Sequence, residues 1–530
     1  MKTIPIGPYL GINNRLPDFA LHVDKTGDYL RAADNVDIDN RGNLHRRKAS
    51  ELAQAMTDAH SLSPDAAYLV RGGVMYAVTL PTYSETLFKT LSNDDPVSWL
   101  SENNELFYSN GTDSGRITSG VWYPLGMETP VVQNLSAIGG SLLAGQYQVG
   151  ITYVNDVTGE ESGISAITVI TLSSMGGIRV TLPTTAEGAT HVDIYVSACQ
   201  GSVVMWNGRV TLGTATYDAT VASTLQGHPG EKHYPLPAGD LFMSGGSLCS
   251  IVNTGNVGRV FVGSPYRYGY YTPANGLIES GGSITFPAPV TVAVGVDGGT
   301  YICAGKTYFF PGELSMVQEM VRTTLPFDGV RGTAFVVPDK PVVGWFSTYG
   351  IVLADFTGQV SAPMNDMIDL TAPASGVSIV SQSNGILRVV SCGWCMNLDT
   401  KASTTYSDFD FTSAGSVYGT KADGIYLIES TGDVEWTVDF GKQDFGTEQL
   451  KHLPAVYAGV ACAEKLSLRV QTQSDDYTYL ARSASEELME QRFDPGKGLR
   501  ANWFNLSLSG STEFDLSRLS FGATASTRRI

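Results

Sequence analysis

Charge is scarce in this chain of 530 residues: Asp, Glu, Lys and Arg together make up 16 %, against about 25 % in an average soluble protein. Its surface must therefore be covered largely by Gly, Ser, Thr, Asn and Gln, and neutral surfaces suit extensive subunit contacts. Basic residues are scarcer than acidic ones, 34 against 52, for a net charge of −18. That balance argues against an electrostatic grip on nucleic acid or on an anionic membrane, which needs a basic footprint. Cysteine is rare as well: six residues, at 199, 249, 303, 392, 395 and 462, lack the density of a secreted disulfide scaffold, so reduced thiols are expected. No run approaches 18 consecutive apolar residues, and the stretch from Ile4 to Ile12 is interrupted by Pro5 and Pro8. Neither a membrane-spanning helix nor a signal-peptide core is expected, and the chain reads as a soluble protein made in the cytoplasm.

What is abundant points to β-structure. With 58 Gly and 24 Pro among many Ser, Thr, Tyr and Val residues, the composition favours short strands joined by tight turns. The length calls for two or three domains. Residues 350–360 (Gly-Ile-Val-Leu-Ala-Asp-Phe-Thr-Gly-Gln-Val) and 424–434 (Gly-Ile-Tyr-Leu-Ile-Glu-Ser-Thr-Gly-Asp-Val) repeat one pattern of glycine, apolar run, acid and Thr-Gly turn. Weaker copies begin near Gly73, Glu105, Arg259, Thr300 and Gly385, which makes seven. Their spacing is close to a four-stranded propeller blade of about 40–50 residues, except for the gap from 105 to 259. That gap holds its own alternating strands: 146–153, 164–172, 178–182, 191–195, 203–206 and 214–218. Such a set of short strands with glycine turns resembles an immunoglobulin-like or fibronectin type III-like sandwich.

The sequence thus predicts an all-β protein, a β-propeller of about six to eight blades with an inserted sandwich and a small C-terminal β domain. The expected divisions are 1–126 (N-terminal hairpin and first blades), 127–237 (inserted sandwich), 238–438 (remaining blades) and 439–530 (C-terminal β domain).

Motifs for chemistry are missing, and no catalytic, cofactor-binding or metal-binding residue is assigned. Asp37-Ile-Asp-Asn-Arg-Gly42 opens like a calcium loop, but Arg41 and Lys48 stand where ligands are required; a hairpin turning at Asn40–Asn43 is the expectation. Cys392-Gly-Trp-Cys395 has redox spacing without the strand-to-helix setting and reads as structural. His228 and His233 read as solvated linker residues, and Asp94-Asp95 and Glu160-Glu161 as solvated turns. There is no Gly-x-Ser-x-Gly elbow, Gly496-Lys-Gly498 is not a phosphate loop, and the Asp-box of sialidase-like blades and the Trp-Asp mark of WD repeats are absent. Tyr268, Tyr270 and Tyr271 could form an aromatic binding face, although aromatics on a strand more often pack.

Gly11-Ile-Asn-Asn14 and the segment from Leu30 to Arg47, with its Asn35-Val-Asp-Ile-Asp-Asn-Arg-Gly-Asn-Leu core, resemble the opening of tail nozzle and tail-hub proteins of short-tailed bacteriophages. Ala144–Val154 with Gly159-Glu-Glu-Ser162 is similar to sandwich domains carried by such proteins, and Gly496–Phe504 with Arg528-Arg529 is similar to their ending. The resemblance implies a non-enzymatic virion protein in a cyclic homo-oligomer, usually a hexamer. That ring docks to a portal or adaptor ring, carries tail fibres and guides double-stranded DNA through its lumen during ejection. Contacts with DNA should be few and weak, with Arg46, Arg47 and Lys48 available if they face inward. A receptor- or glycan-binding or fibre-attachment module is the alternative, and a propeller glycosidase is a third reading.

Overall fold

The computed structural model describes residues 2–22, 26–223, 227–264, 269–271, 283–314, 322–383, 385–496 and 498–525. Seven four-stranded antiparallel blades are formed by 59–90, 98–123, 240–286, 292–325, 335–361, 378–405 and 413–430, the last taking its fourth strand from Ala49–Ala55. The first strands of blades 2 to 6 lie against one another in turn. Each neighbouring pair of blades shares an apolar cluster, and the circle is closed where Ile425 of blade 7 packs with Leu62 and Leu69 of blade 1. Burying a Val, Ile, Leu or Phe in such a seam contributes roughly 1.5–3 kcal/mol, and every blade has two seams. Closure depends on Gly424, whose φ of +155° is left to glycine and where a Cβ would run into the Gln54 carbonyl oxygen.

All seven sequence repeats fall in different blades, but they mark the third strand in blades 1, 3, 5 and 7 and the second strand in blades 2, 4 and 6. Both central strands of a blade have partners on either side and are buried, so both read as apolar runs.

The insert lies between the last strand of blade 2 and the first of blade 3. One sheet is Asn134–Leu142, Gly176–Thr181 and Thr216–Ala219; the other carries Glu160–Glu161 and Thr168–Leu172 beside Gly145–Asn155, then His191–Ser197 and Val204–Thr211. The alternating side chains Tyr147, Val149, Ile151, Val192, Ile194 and Val196 meet Ile178 and Val180 in its core. The sheet order is that of an immunoglobulin-type sandwich beginning at its second strand, with Thr216–Ala219 at the far edge of the smaller sheet. Sequence patterning missed Asn134–Leu142, whose Gly139-Gly140 pair and mostly exposed side chains hide the strand period.

The terminal unit is built from both ends of the chain, a relationship that the division at 438/439 leaves out. Lys2–Ile6, Val36–Ile38 and Leu44–Arg46 join the sheet of Lys451–Cys462 and Phe514–Ala525, while Ala32–Asp34 pairs with Trp436–Gln443 in the facing sheet. Ile6, Tyr9, Leu30, Val36 and Leu44 share one core with Trp436, Phe440, Val456 and Phe521. Strand Ala32–Asp34 also touches the outer strand of blade 6, Ser403–Thr405, so one nine-stranded sheet runs from the propeller into the terminal sandwich.

Candidate functional site

The chemically dense places in this protein are its two domain junctions. At the terminal junction the hairpin Val36–Ile38/Leu44–Arg46 is turned by Asp39, whose carboxylate accepts from the backbone N–H of Arg41 and Asn43 at 2.8 Å each and from the Asn43 side chain at 2.9 Å. Burial pushes this carboxyl up, but the Asn43 and Arg41 hydrogen bonds outweigh it and hold Asp39 below its usual range. The hairpin delivers Asp37 to Arg388 of blade 6, both side chains nearly fully buried. Arg388 also donates to Glu429 of blade 7 at 2.7 Å, and Tyr406 donates its hydroxyl to Asp37. Beside them Arg47 donates to Asn35 at 2.8 Å and to Asp408, with its guanidinium over the Tyr406 ring. Burial pushes the Tyr406 hydroxyl well up and draws Arg47 down. The cavity among Arg47, Tyr406 and Glu429 measures about 10 Å³, room for one water at most.

This geometry corrects one expectation. Arg46 and Arg47 do not face a lumen: Arg46 donates to the Gly432 and Ser511 carbonyls at 3.0 and 2.9 Å, and both side chains are buried in the junction. Lys48 is half exposed and lies 3.5 Å from Glu429. Cys395 is buried beside Asp37, and burial pushes its thiol up to about 12. Cys392 is a free thiol whose pKa burial also raises, so neither cysteine offers the thiolate of a redox pair.

The second junction fixes the insert to blade 2. Arg116, buried in the third strand of that blade, pairs with Glu160 of the insert and lies 3.8 Å from Glu105. Glu161 accepts from Thr152 at 2.8 Å and from the Tyr195 hydroxyl, while its backbone oxygen meets His233 at 2.8 Å. Glu160-Glu161 is therefore a short strand inside a joint, where a solvated turn was expected. Burial raises the pKa of Glu160, outweighing the opposing pull of Arg116. His233 is likewise buried, edge-on to Tyr270, whereas His228 is exposed. Asp94 and Asp95 do lie in an exposed turn. Tyr270 does not belong to an open aromatic face: it is buried in the insert's core and accepts from the Met127 N–H at 2.7 Å. Tyr271 packs on Tyr234 and Phe261. Tyr268, Lys497 and Arg528-Arg529 lie outside the described residues.

Arg331, ahead of blade 5, forms a two-pronged bond to Asp240 at the start of blade 3, at 2.8 and 2.9 Å. At the opposite face, the turns after the first strands of blades 3, 4 and 5 enclose an open groove of about 680 Å³, lined by Met243, Val336 and Pro338 together with the exposed charges of Asp297, Asp339 and Lys340. No group of three or more His, Cys, Asp or Glu placed to hold a metal ion occurs among the described residues.

No protein-family model matches this chain, and no curated protein matches it. Among solved structures it is similar to the computationally designed Ika8 protein, at 11 % identity over 72 % of this chain and 100 % of the other, with a TM-score of 0.31. It is also similar to AztD of Citrobacter koseri, at 12 % identity over 74 % and 95 %, with a TM-score of 0.28. An exo-beta-1,3-galactanase from Phanerochaete chrysosporium aligns at 8 % identity over 90 % and 100 %, with a TM-score of 0.20. Likenesses this distant assign no activity to the chain. The class rests on its own geometry: a closed seven-bladed propeller carrying an inserted and a terminal β-sandwich.

Proposed function

We propose that this protein is a structural subunit of the tail nozzle or hub of a short-tailed bacteriophage, working in a symmetric ring around the path of the exiting genome. The observation that carries the reading is the coupling of three β units through paired strands and ion pairs. A nine-stranded sheet joins blade 6 to the terminal sandwich, the buried Asp37–Arg388 pair ties that sandwich to the propeller, and Arg116 of blade 2 meets Glu160 of the insert. A wall subunit has to transmit load between neighbours without bending at its domain boundaries, and buried, partnered charges in packed seams resist such bending. The Asn35–Leu44 segment that carries the family resemblance supplies the hairpin of the coupling.

In this reading the duplex passes through the ring's common lumen. The chain itself is non-enzymatic, and cell-wall or polysaccharide hydrolysis belongs to other tail proteins. Copy number tests the proposal: quantitative mass spectrometry of purified virions should return six copies per particle relative to the portal. One copy, or none, would withdraw it.

The second reading, a receptor- or glycan-binding or fibre-attachment module, draws on the solvent-exposed side chains of Leu143, Met175, Val203 and Val221 in the insert. Binding of the isolated full chain on a glycan array would favour it.

A further inference from the structure

The groove between the turns of blades 3, 4 and 5 combines apolar side chains with acid that nothing neutralises. Its apolar surface comes from Met243 and Val296, at the ends of the first strands of blades 3 and 4, and from Val336 of blade 5, which is 57 % exposed. Its acid comes from the turns: Asp297 follows the first strand of blade 4 and Asp339 that of blade 5, and both are exposed. Neither carboxylate has a hydrogen-bond or ion-pair partner among the described residues. Turn carboxylates elsewhere are engaged by their own surroundings: Asp94 by His60 at 2.9 Å, Asp113 by Ser92 at 2.6 Å and Asp355 by Thr357 at 2.8 Å. The one cation lining the groove, Lys340, is taken up by Asp399 of blade 6 at 2.9 Å.

Charge selects the occupant. Two unpaired carboxylates attract a cation and repel a nucleic-acid backbone, while the aliphatic side chains beside them favour an occupant with an apolar part. A Lys or Arg side chain meets both demands, since it carries its charge on an apolar stem. At about 680 Å³ the groove falls in the range of sites that enclose a whole small ligand, about 300–1,000 Å³, so it has room for a segment of several residues. A second copy of this chain brings a net charge of −18 to an acidic groove and is repelled on average. The occupant is therefore a different and basic chain.

We propose that this groove docks a short basic segment of another protein, with Lys or Arg against Asp297 and Asp339 and an apolar side chain against Met243 and Val336. The site goes beyond the ring-subunit reading and stands on the groove alone.

The test is fluorescence anisotropy of the full chain with a labelled probe peptide, Val-Arg-Val-Lys-Val-Arg, beside a control peptide with Ser at the three charged positions. Wild type is compared with the double variant Asp297→Asn, Asp339→Asn, with Val336→Ser, and with Glu486→Gln, Glu487→Gln, which removes the same charge from an exposed strand of the terminal sandwich. Asn also tolerates the left-handed backbone of Asp339, φ +58°. Wild type should bind the basic peptide at one saturable site and the Ser peptide far more weakly. The groove double variant should weaken binding about tenfold, the effect of two solvent-exposed ion pairs together. Val336→Ser should weaken it about threefold through lost apolar contact. The distant double variant should stay within about twofold of wild type, because salt screens charges so far from the groove. Thermal midpoints should be unchanged throughout, the substituted side chains being exposed. Equal losses in the two charge variants would overturn the proposal by showing a general attraction to an acidic protein. Equal binding of the Ser peptide, or no saturable binding of the basic one, would overturn it too. So would self-association of wild type that the groove double variant abolishes, which would make the occupant a second copy.

Discussion

Arg388 of blade 6 and Asp37 of the N-terminal hairpin, 351 residues apart in the chain, form an ion pair with side chains only 3 % and 4 % exposed. The pair sets the first expectation. Removing one partner of a buried pair strands the other charge and typically costs about 3–5 kcal/mol, whereas replacing both by apolar groups is often neutral. Arg388→Met should therefore lower the urea midpoint of the full chain sharply, and Asp37→Leu with Arg388→Met should recover most of the loss. Equal midpoints for the single and double variants would remove the pair from the account of the junction.

The two junctions should respond to pH with opposite signs. Burial pushes Glu429 up, but the Arg388 guanidinium outweighs it and holds the carboxyl below its ordinary 4.5. Its stabilisation is therefore complete above 4.5 and is lost as pH falls through the lowered value. Glu160 is raised above 4.5 by burial, so its contribution is complete below 4.5 and is lost as pH rises through the raised value. Against Glu429→Gln, wild type should hold its stability advantage at neutral pH and lose it in acid. Against Glu160→Gln, wild type should fare progressively worse as pH rises from 4.5 toward neutrality. Denaturation curves of the three proteins at several pH values check both signs.

Propeller closure gives a third expectation. A side chain at Gly424 meets the backbone of Gln54 in the strand that completes blade 7, and overpacking of this kind costs about 1–3 kcal/mol. Gly424→Val should raise amide exchange along Ala49–Ala55 while leaving blades 3 and 4 protected. Uniform exchange across all blades would show that this strand is not the seam.

How far the sequence revealed this arrangement depends on the range of the interaction. Blades and insert were legible because each writes its period locally: Gly350 to Asp355 and Gly424 to Ser430 share a pattern, and Tyr147, Val149 and Ile151 alternate. The C-terminal β unit was expected from its own strands, but the N-terminal share in it was not, because Lys2–Ile6 finds its partner at Leu519–Ala523 and no periodicity reports a pairing across nearly the whole chain. The same blindness made Arg46, Arg47 and Glu160-Glu161 look like surface charges. Their partners Ser511, Asp408 and Arg116 lie in other domains or blades, and only the hairpin motif hinted that the N-terminal segment mattered.

Binding to DNA should be weak. With net charge −18 and with Arg46 and Arg47 turned into a junction, the chain offers few cations to release counterions from a duplex. Gel-shift titration at physiological salt should give a Kd no tighter than the non-specific range of about 10⁻⁴ to 10⁻⁶ M, without base preference. Nanomolar or sequence-selective binding would mean that the protein holds DNA instead of letting it slide.

The central claim, a ring subunit around the genome's exit path, is tested most directly by a rotationally averaged electron-microscopy image of the virion with this chain located by a bound antibody fragment. The account predicts a closed cyclic ring on the tail axis, six copies around the DNA path. A single copy, an open filament or a position away from the tail axis would contradict it.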